Sequence, residues 1–173
     1  TGEGGVREAG GGRAAGGDGC RGASVESGDR VYDDTVPGAA VQSVKNAGGF
    51  NNDWELTYAA ALFVLARREG MDRPLSGFTA AIEGMGGGLD AALSVVAEEL
   101  PPAAAERVLG TWDRDRLREA FQALYLGEER YSELEGGTPP FAAPGYIHDE
   151  EVLVTPDTVA PLTDSRPVGV LTG

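Results

Sequence analysis

Asn51-Asn52-Asp53-Trp54-Glu55-Leu56-Thr57-Tyr58-Ala59-Ala60-Ala61-Leu62-Phe63-Val64-Leu65-Ala66-Arg67-Arg68-Glu69-Gly70 is the stretch that decides the fold. Trp54, Tyr58, Ala61, Leu62 and Leu65 recur at spacings of three and four, the period of one helix face. Asn51, Asn52 or Asp53 can cap the start, because their side-chain oxygens accept from first-turn N–H groups that lack a helical partner. Gly70 stops the helix. Within it, Tyr58–Ala66 is the longest apolar run of the chain, far short of the ~20 residues a membrane-spanning helix requires. The reading is therefore an amphipathic helix, the clearest of the chain, with one face packed into a helical bundle.

The same period extends outward. Upstream, 24–36 reads as one short helix ending before Pro37. Downstream, Pro74–Glu83 is a weaker helix, and Gly86-Gly87-Gly88 breaks the chain. Leu89, Ala92, Leu93 and Val96 make the next stripe. Pro101-Pro102 starts a segment that runs to Gly110. Asp113–Leu126 is clearly amphipathic, with Leu117, Phe121, Leu124 and Tyr125 inward and Asp115, Arg118 and Glu119 outward. The expected contacts of this bundle run through Trp54, Tyr58, Leu62, Leu65, Leu93, Val96, Leu117, Phe121 and Leu124. Residues 25–135 thus form a helical region. After Gly136-Gly137 the character changes. Pro139, Pro140 and Pro144 punctuate an extended stretch, and Glu151–Val154 reads as a short strand. Thr155-Pro156-Asp157 opens a short helix, with Pro156 in the first turn. Pro167–Gly173 reads as a buried parallel strand ending in Thr-Gly. The fold class expected is mainly α, with fragments of an α/β core over 136–173.

Residues 1–24 hold ten glycines and almost no large apolar side chain. Such a segment buries too little surface to offset its ordering entropy, so disorder is expected there. Gly10-Gly11-Gly12-Arg13-Ala14-Ala15 matches a loose dinucleotide-loop pattern, but no strand precedes it, and that chemistry needs one. No glycine loop carries the Lys-Ser/Thr pair of a nucleotide cradle.

The chain of 173 residues is one domain's length and can bury about 70% of its unfolded surface without disulfides or metal. Cys20 is the only cysteine and His148 the only histidine, which excludes an internal disulfide and multi-cysteine zinc sites. The N-terminus shows no apolar core behind a basic start, so no secretory leader is read. There are 28 acidic residues against 14 basic ones, for a net charge of −14. That surface repels phosphate backbones and anionic bilayers, so no nucleic-acid or membrane partner is expected. Lys45 is the only lysine; every other cation is arginine. Acid excess with so little lysine fits a salt-rich cytoplasm, where ions screen the self-repulsion. An acidic protein from a GC-rich genome is the plainer alternative.

The run Lys45-Asn46-Ala47-Gly48-Gly49-Phe50-Asn51-Asn52-Asp53-Trp54-Glu55-Leu56-Thr57-Tyr58 resembles the cap-region signature of a phosphatase-like subfamily of the haloacid-dehalogenase superfamily, most closely its haloarchaeal-type members. Phe121–Gly127, Gly145–Glu150 and Val170-Leu171-Thr172-Gly173 follow in the order such proteins have, so the resemblance covers roughly 21–173. It implies a Rossmann-like core with a helical cap, and phosphoryl transfer from a small phosphorylated metabolite. An attacking aspartate, a second aspartate two residues on, a Thr or Ser hydroxyl, a lysine and magnesium-holding acids make up the implied machinery. Thr172 matches the hydroxyl position. The Asp-x-Asp after an apolar strand is missing: Asp33-Asp34 follows only Val31-Tyr32, and Asp18 lies in the glycine-rich tail. The resemblance places the lysine and the later acids beyond Gly173. The expectation is thus a truncated or disrupted copy that lacks the nucleophile, with Mg²⁺ implied and its site incomplete. A helical domain that folds alone or binds a protein partner, without catalysis, is the alternative.

Asn51, Asn52, Asp53 and Trp54 have two readings: a cap loop that touches substrate, or an ordinary helix cap with Trp54 in the core. His148, beside Asp149, Glu150 and Glu151, reads as a solvated turn more readily than as a metal ligand. Cys20 has no base near it in sequence and is a poor nucleophile candidate. Asp113, Asp115 and Glu119 are explained by the positive end of the helix they open.

The charge balance generates a first prediction. Thermal unfolding followed by circular dichroism should shift upward between 0.1 and 1 M NaCl and level off above that, where the screening length has fallen to about 3 Å. A melting temperature independent of salt across that range would contradict the self-repulsion argument.

Overall fold

The structure is a computed structural model, and it describes residues 19–33 and 36–150 together with Asp157, Ala160 and Pro161. Among the described residues there are seven α-helices and no strand: α1 (Gly19–Tyr32), α2 (Gly38–Ala47), α3 (Asp53–Arg68), α4 (Leu75–Gly84), α5 (Gly88–Glu99), α6 (Pro102–Thr111) and α7 (Arg114–Glu135), followed by a 3₁₀ turn at Tyr146–Asp149.

The apolar run read from the sequence becomes the centre. Ala59, Ala60, Ala61, Leu62 and Ala66 of α3 are completely buried, and Leu56, Phe63 and Leu65 nearly so. Helices α1, α2, α5, α6 and α7 all pack on α3, and α4 closes the bundle against α2 and α5. Val44, Phe78, Ile82, Val95, Val96 and Val108 complete the main core around it. The Phe63 and Phe78 rings lie 5.1 Å apart. A smaller core joins Ala23 of α1 to Phe121 and Leu124 of α7, with Trp54, Phe141 and Tyr146 packed around it. Of the expected bundle contacts, Leu62, Leu65, Val96, Leu117, Phe121 and Leu124 are buried, whereas Trp54, Tyr58 and Leu93 are half-buried. No single described helix is long and apolar enough to cross a membrane; α4 and α5 are apolar together but meet at 120°.

Two elements differ from the sequence reading. Helix α1 begins at Gly19, inside the 1–24 stretch expected to be disordered, and ends at Tyr32. Glycine and serine are weak helix formers, yet here their small side chains let α1 approach its neighbours closely. Ala23 and Ser27 are fully buried, and the Ser24 hydroxyl meets that of Thr57 at 2.8 Å. Tertiary packing overrides propensity. Helix α2 was not anticipated, although Ala40, Val41 and Val44, its buried residues, carry the helical spacing. The strand expected at Glu151–Val154, the strand at Pro167–Gly173 and Thr172 lie outside the described residues, as do residues 1–18. The α/β core fragments therefore have no described counterpart.

Two pairs of glycine segments cross at backbone contact and set the shape. The Gly48-Gly49 turn after α2 lies directly on Gly87-Gly88 before α5, with the Gly88 N–H donating to the Gly48 carbonyl at 3.0 Å. A Cβ on Gly87 would stand 2.5 Å from that carbonyl oxygen, whereas Gly48 itself faces open space. The second crossing is at Gly127 (φ 74°, ψ 172°), which interrupts α7. Its Cβ position is occupied by Pro144 and Gly145 backbone atoms, 2.9–3.0 Å away.

Gly48 and Gly87 share positive φ (75° and 82°) and ψ of 179°, a region open in practice to glycine alone. Gly48→Ala should cost about 1–3 kcal/mol from backbone strain. Gly87→Ala carries the same strain plus the clash, and should cost clearly more. Urea unfolding of both variants checks this; equal losses would mean that the crossing does not constrain the chain.

Candidate functional site

Helix α3 opens with a reciprocal cap. The Asn52 Oδ1 accepts from the Glu55 N–H at 2.9 Å, and the Glu55 carboxylate accepts from the Asn51 N–H at 2.9 Å. This arrangement satisfies one first-turn donor, the Glu55 N–H, and one loop donor, the Asn51 N–H, and fixes the loop's exit angle. The glycine crossing fixes the other side of the same loop. Between the two, Lys45, Gly48, Gly49, Phe50, Asn51, Asn52, Asp53 and Leu56 line a cleft of about 340 Å³.

The structure thus brings Asn51, Asn52 and Asp53 together and sends Trp54 elsewhere. Successive helix residues point about 100° apart, and Trp54 faces α7. Its indole N–H donates to Gln122 Oε1 at 3.2 Å, and the Arg118 guanidinium lies 4.7 Å over its ring. Trp54 is half-buried and docks α3 on α7. Thr172 is not among the described residues. The lining residues that sequence reasoning did not assign to the site are Lys45, Gly48, Gly49, Phe50 and Leu56. All five belong to the run that carries the family resemblance, and the cleft they form depends on the distant glycine pair Gly87-Gly88. His148 is exposed. Asp113 caps α7 through the Arg116 N–H at 3.0 Å, as its helix-start position suggested.

Below the cleft the polar neighbourhood continues. The Cys20 thiol lies beside Asp53, Glu150 and Tyr125, and burial, followed by the two carboxylates, pushes it up to about 12. At that value the thiolate is absent near neutrality, so Cys20 is no nucleophile. The Tyr125 hydroxyl donates to Glu150 Oε2 at 3.1 Å, and burial raises its pKa as well. Through Asp53, this cluster links the cleft to the corner where α1 starts and the 3₁₀ turn ends.

Larger hollows exist, among them a groove of about 630 Å³ between α2 and α4. Its lining is mostly small and apolar, whereas the cleft at α3 gathers an ammonium, two amides and a carboxylate at a helix N-terminus. Among the described residues, no group of three or more His, Cys, Asp or Glu side chains is placed to hold a cation. The described acids do not gather into the oxygen donor set that a magnesium ion takes. Comparison with protein-family models, with curated proteins and with solved structures finds no match.

The thiol environment has a pH consequence. Cys20 is held protonated in the folded chain, so the folded state binds more protons than the unfolded one between the ordinary thiol value and about 12. Its contribution to stability is present below the ordinary value and is lost as pH rises through that window. Urea unfolding at pH 8 to 10 should show stability falling with pH, and Cys20→Ala should flatten the fall. An unchanged slope in the variant would remove Cys20 from the account.

Proposed function

We propose that this chain is a helical cap region of a phosphatase-like hydrolase of the haloacid-dehalogenase type, with a cleft at the start of α3 that meets a small phosphorylated metabolite. One observation carries the reading. Lys45, Asn51, Asn52 and Asp53 share one cleft, and Asp53 stands beside Cys20 and Glu150, near the two ends of the helical body. A domain inserted into another leaves by two connections at one corner, and a substrate-contacting loop belongs at that corner.

The chemistry of the cleft suits an anion. The Lys45 ammonium is the chain's one lysine and can balance phosphoryl charge as a point cation. Asn52 uses its side-chain oxygen for the cap, and its amide NH₂ can donate to a ligand. The first-turn N–H groups of α3 add a positive end. Asp53 opposes anion binding directly and suits a hydroxyl of the same metabolite.

These residues position a ligand but cannot transfer a phosphoryl group. Covalent transfer requires an attacking carboxylate, and the family's charge-balancing lysine and metal acids have no counterpart here. Thr172 supplies one hydroxyl at most. The purified 173-residue chain should therefore release no phosphate from an aryl phosphate or from a panel of sugar phosphates with magnesium, at low or multimolar salt. In ¹⁵N NMR titrations, a sugar phosphate at millimolar concentration should shift the amides of 48–53 more than the unphosphorylated sugar does, and Lys45→Ala should abolish the difference. Absence of shifts there would favour a non-catalytic helical domain. Magnesium-dependent turnover lost in Thr172→Ala would overturn the reading of an incomplete site.

A further inference from the structure

We infer that residues 141–150 form a clasp along one face of α1, tying the start and the end of the helical body into a single mechanical unit. The inference rests on residues 19–150 and holds whichever way the phosphatase reading falls.

The pattern lies in the spacing. Gly19, Gly22, Glu26 and Arg30 fall at intervals of three, four and four, the spacing of one helix face. Each meets the returning segment. The Arg30 guanidinium sits 4.5 Å over the Phe141 ring. The Tyr146 hydroxyl donates to Glu26 Oε2 at 3.0 Å. Gly22 makes room for the same tyrosine, since a Cβ there would stand 3.0 Å from two ring carbons. A Cβ on Gly19 would stand 2.8 Å from Glu150 Oε1. Later residues of the segment thus meet earlier residues of α1, and the two run antiparallel.

The other edge of the segment lies on α7. A Cβ on Gly145 would stand 2.7 Å from the Leu126 carbonyl oxygen. The Glu128 N–H donates to the Ala143 carbonyl at 3.3 Å, and the Tyr125 hydroxyl reaches Glu150. The interruption of α7 at Gly127 is what opens the trough. Within the segment Gly145 alone is buried; its side chains are half-buried or exposed and contribute little to the main core. Such a unit can open without unfolding the bundle. Closed, it holds Gly19 and Glu150, the first and last residues of the described helical body, side by side.

The test is amide hydrogen exchange on the full 173-residue chain, comparing wild type with the double variant Tyr125→Phe/Tyr146→Phe. Both changes keep the rings and remove only the hydroxyls. Exchange should accelerate about tenfold, the size of two lost hydrogen bonds, in 141–150 and in 19–26 together, while α3, α4 and α5 keep their wild-type rates. Acceleration confined to 141–150 would overturn the clasp, because the segment would then merely rest on α1. Equal acceleration in α3–α5 would also overturn it, because the contacts would then belong to global stability, and so would no change at all. Gly22→Leu gives an independent reading. A leucine raises the helix propensity of α1 and, without a clasp, should slow its exchange. With the clasp, it displaces the Tyr146 ring and should accelerate both segments.

Discussion

Everything in this fold depends on burying α3 from all sides. The alanine run 59–61, with Leu62 and Ala66, is wholly removed from solvent, and a helix that is apolar around most of its circumference cannot lie on a surface. It must be surrounded, and five other helices do so. The alanines determine how closely. Small side chains bring neighbouring backbones near, and α1 answers with its own small residues, Ala23, Ser24 and Ser27. Three hydroxyls are left inside that contact, and that of Ser27 donates to the Ala23 carbonyl of its own helix. Ser24 and Thr57 face each other at 2.8 Å, and each also reaches a carbonyl four residues back, at 2.9 and 2.8 Å. Two protons can fill only two of these three contacts at a time, yet each hydroxyl keeps a partner in either arrangement, although neither sees water.

A bundle built this tightly leaves no room for side chains where loops must cross, and glycine fills those places. The crossing of Gly48-Gly49 with Gly87-Gly88 holds the loop ahead of α3 from one side, and the reciprocal Asn52–Glu55 cap holds it from the other. The cleft at Lys45 and Asn51–Asp53 is a by-product of these two constraints, and it is as firm as they are. At the opposite end of the topology, Gly127 interrupts α7 and lets the following segment fall back against α1. The same device thus serves twice, once to fix a candidate ligand loop and once to bring the two ends of the body together.

The legibility of the sequence followed the strength of its periodicity. Helices α3 to α6 were readable nearly to the residue, because their apolar stripes are clear and their limits are marked by Asn52, Gly70, the 86–88 glycines and Pro102; α7 was read from Asp113 to Leu126, whereas it continues past the Gly127 interruption to Glu135. Helix α1 was partly hidden. Its residues are poor helix formers with no apolar stripe, and its stability comes from contacts made by α3 and α7 that no local window contains. Helix α2 had a short stripe in Ala40, Val41 and Val44, overlooked beside Pro37. For the site, local chemistry read Asn51, Asn52 and Asp53 as a helix cap and only the resemblance made them candidates; neither showed that the three line one cleft, nor that Trp54 turns away to Arg118 and Gln122. The cleft needs Gly87, and the thiol cluster needs Tyr125 and Glu150; such pairings over long sequence separations leave no periodic trace.

The environment of Cys20 carries the argument one step further. A thiol in the first turn of a helix is ordinarily activated, since the positive end of the helix favours the thiolate. Here the order is reversed. Burial comes first and the carboxylates of Asp53 and Glu150 second, and together they outweigh the Tyr125 hydrogen bond, which favours the thiolate. The acids that suppress the thiol are the first residue of α3 and the last of the returning segment, so the cluster exists only while both are docked on α1. Reactivity at Cys20 is therefore tied to the closure of that corner. The surroundings that keep the thiol protonated require Asp53 and Glu150 to be docked on the start of α1 together.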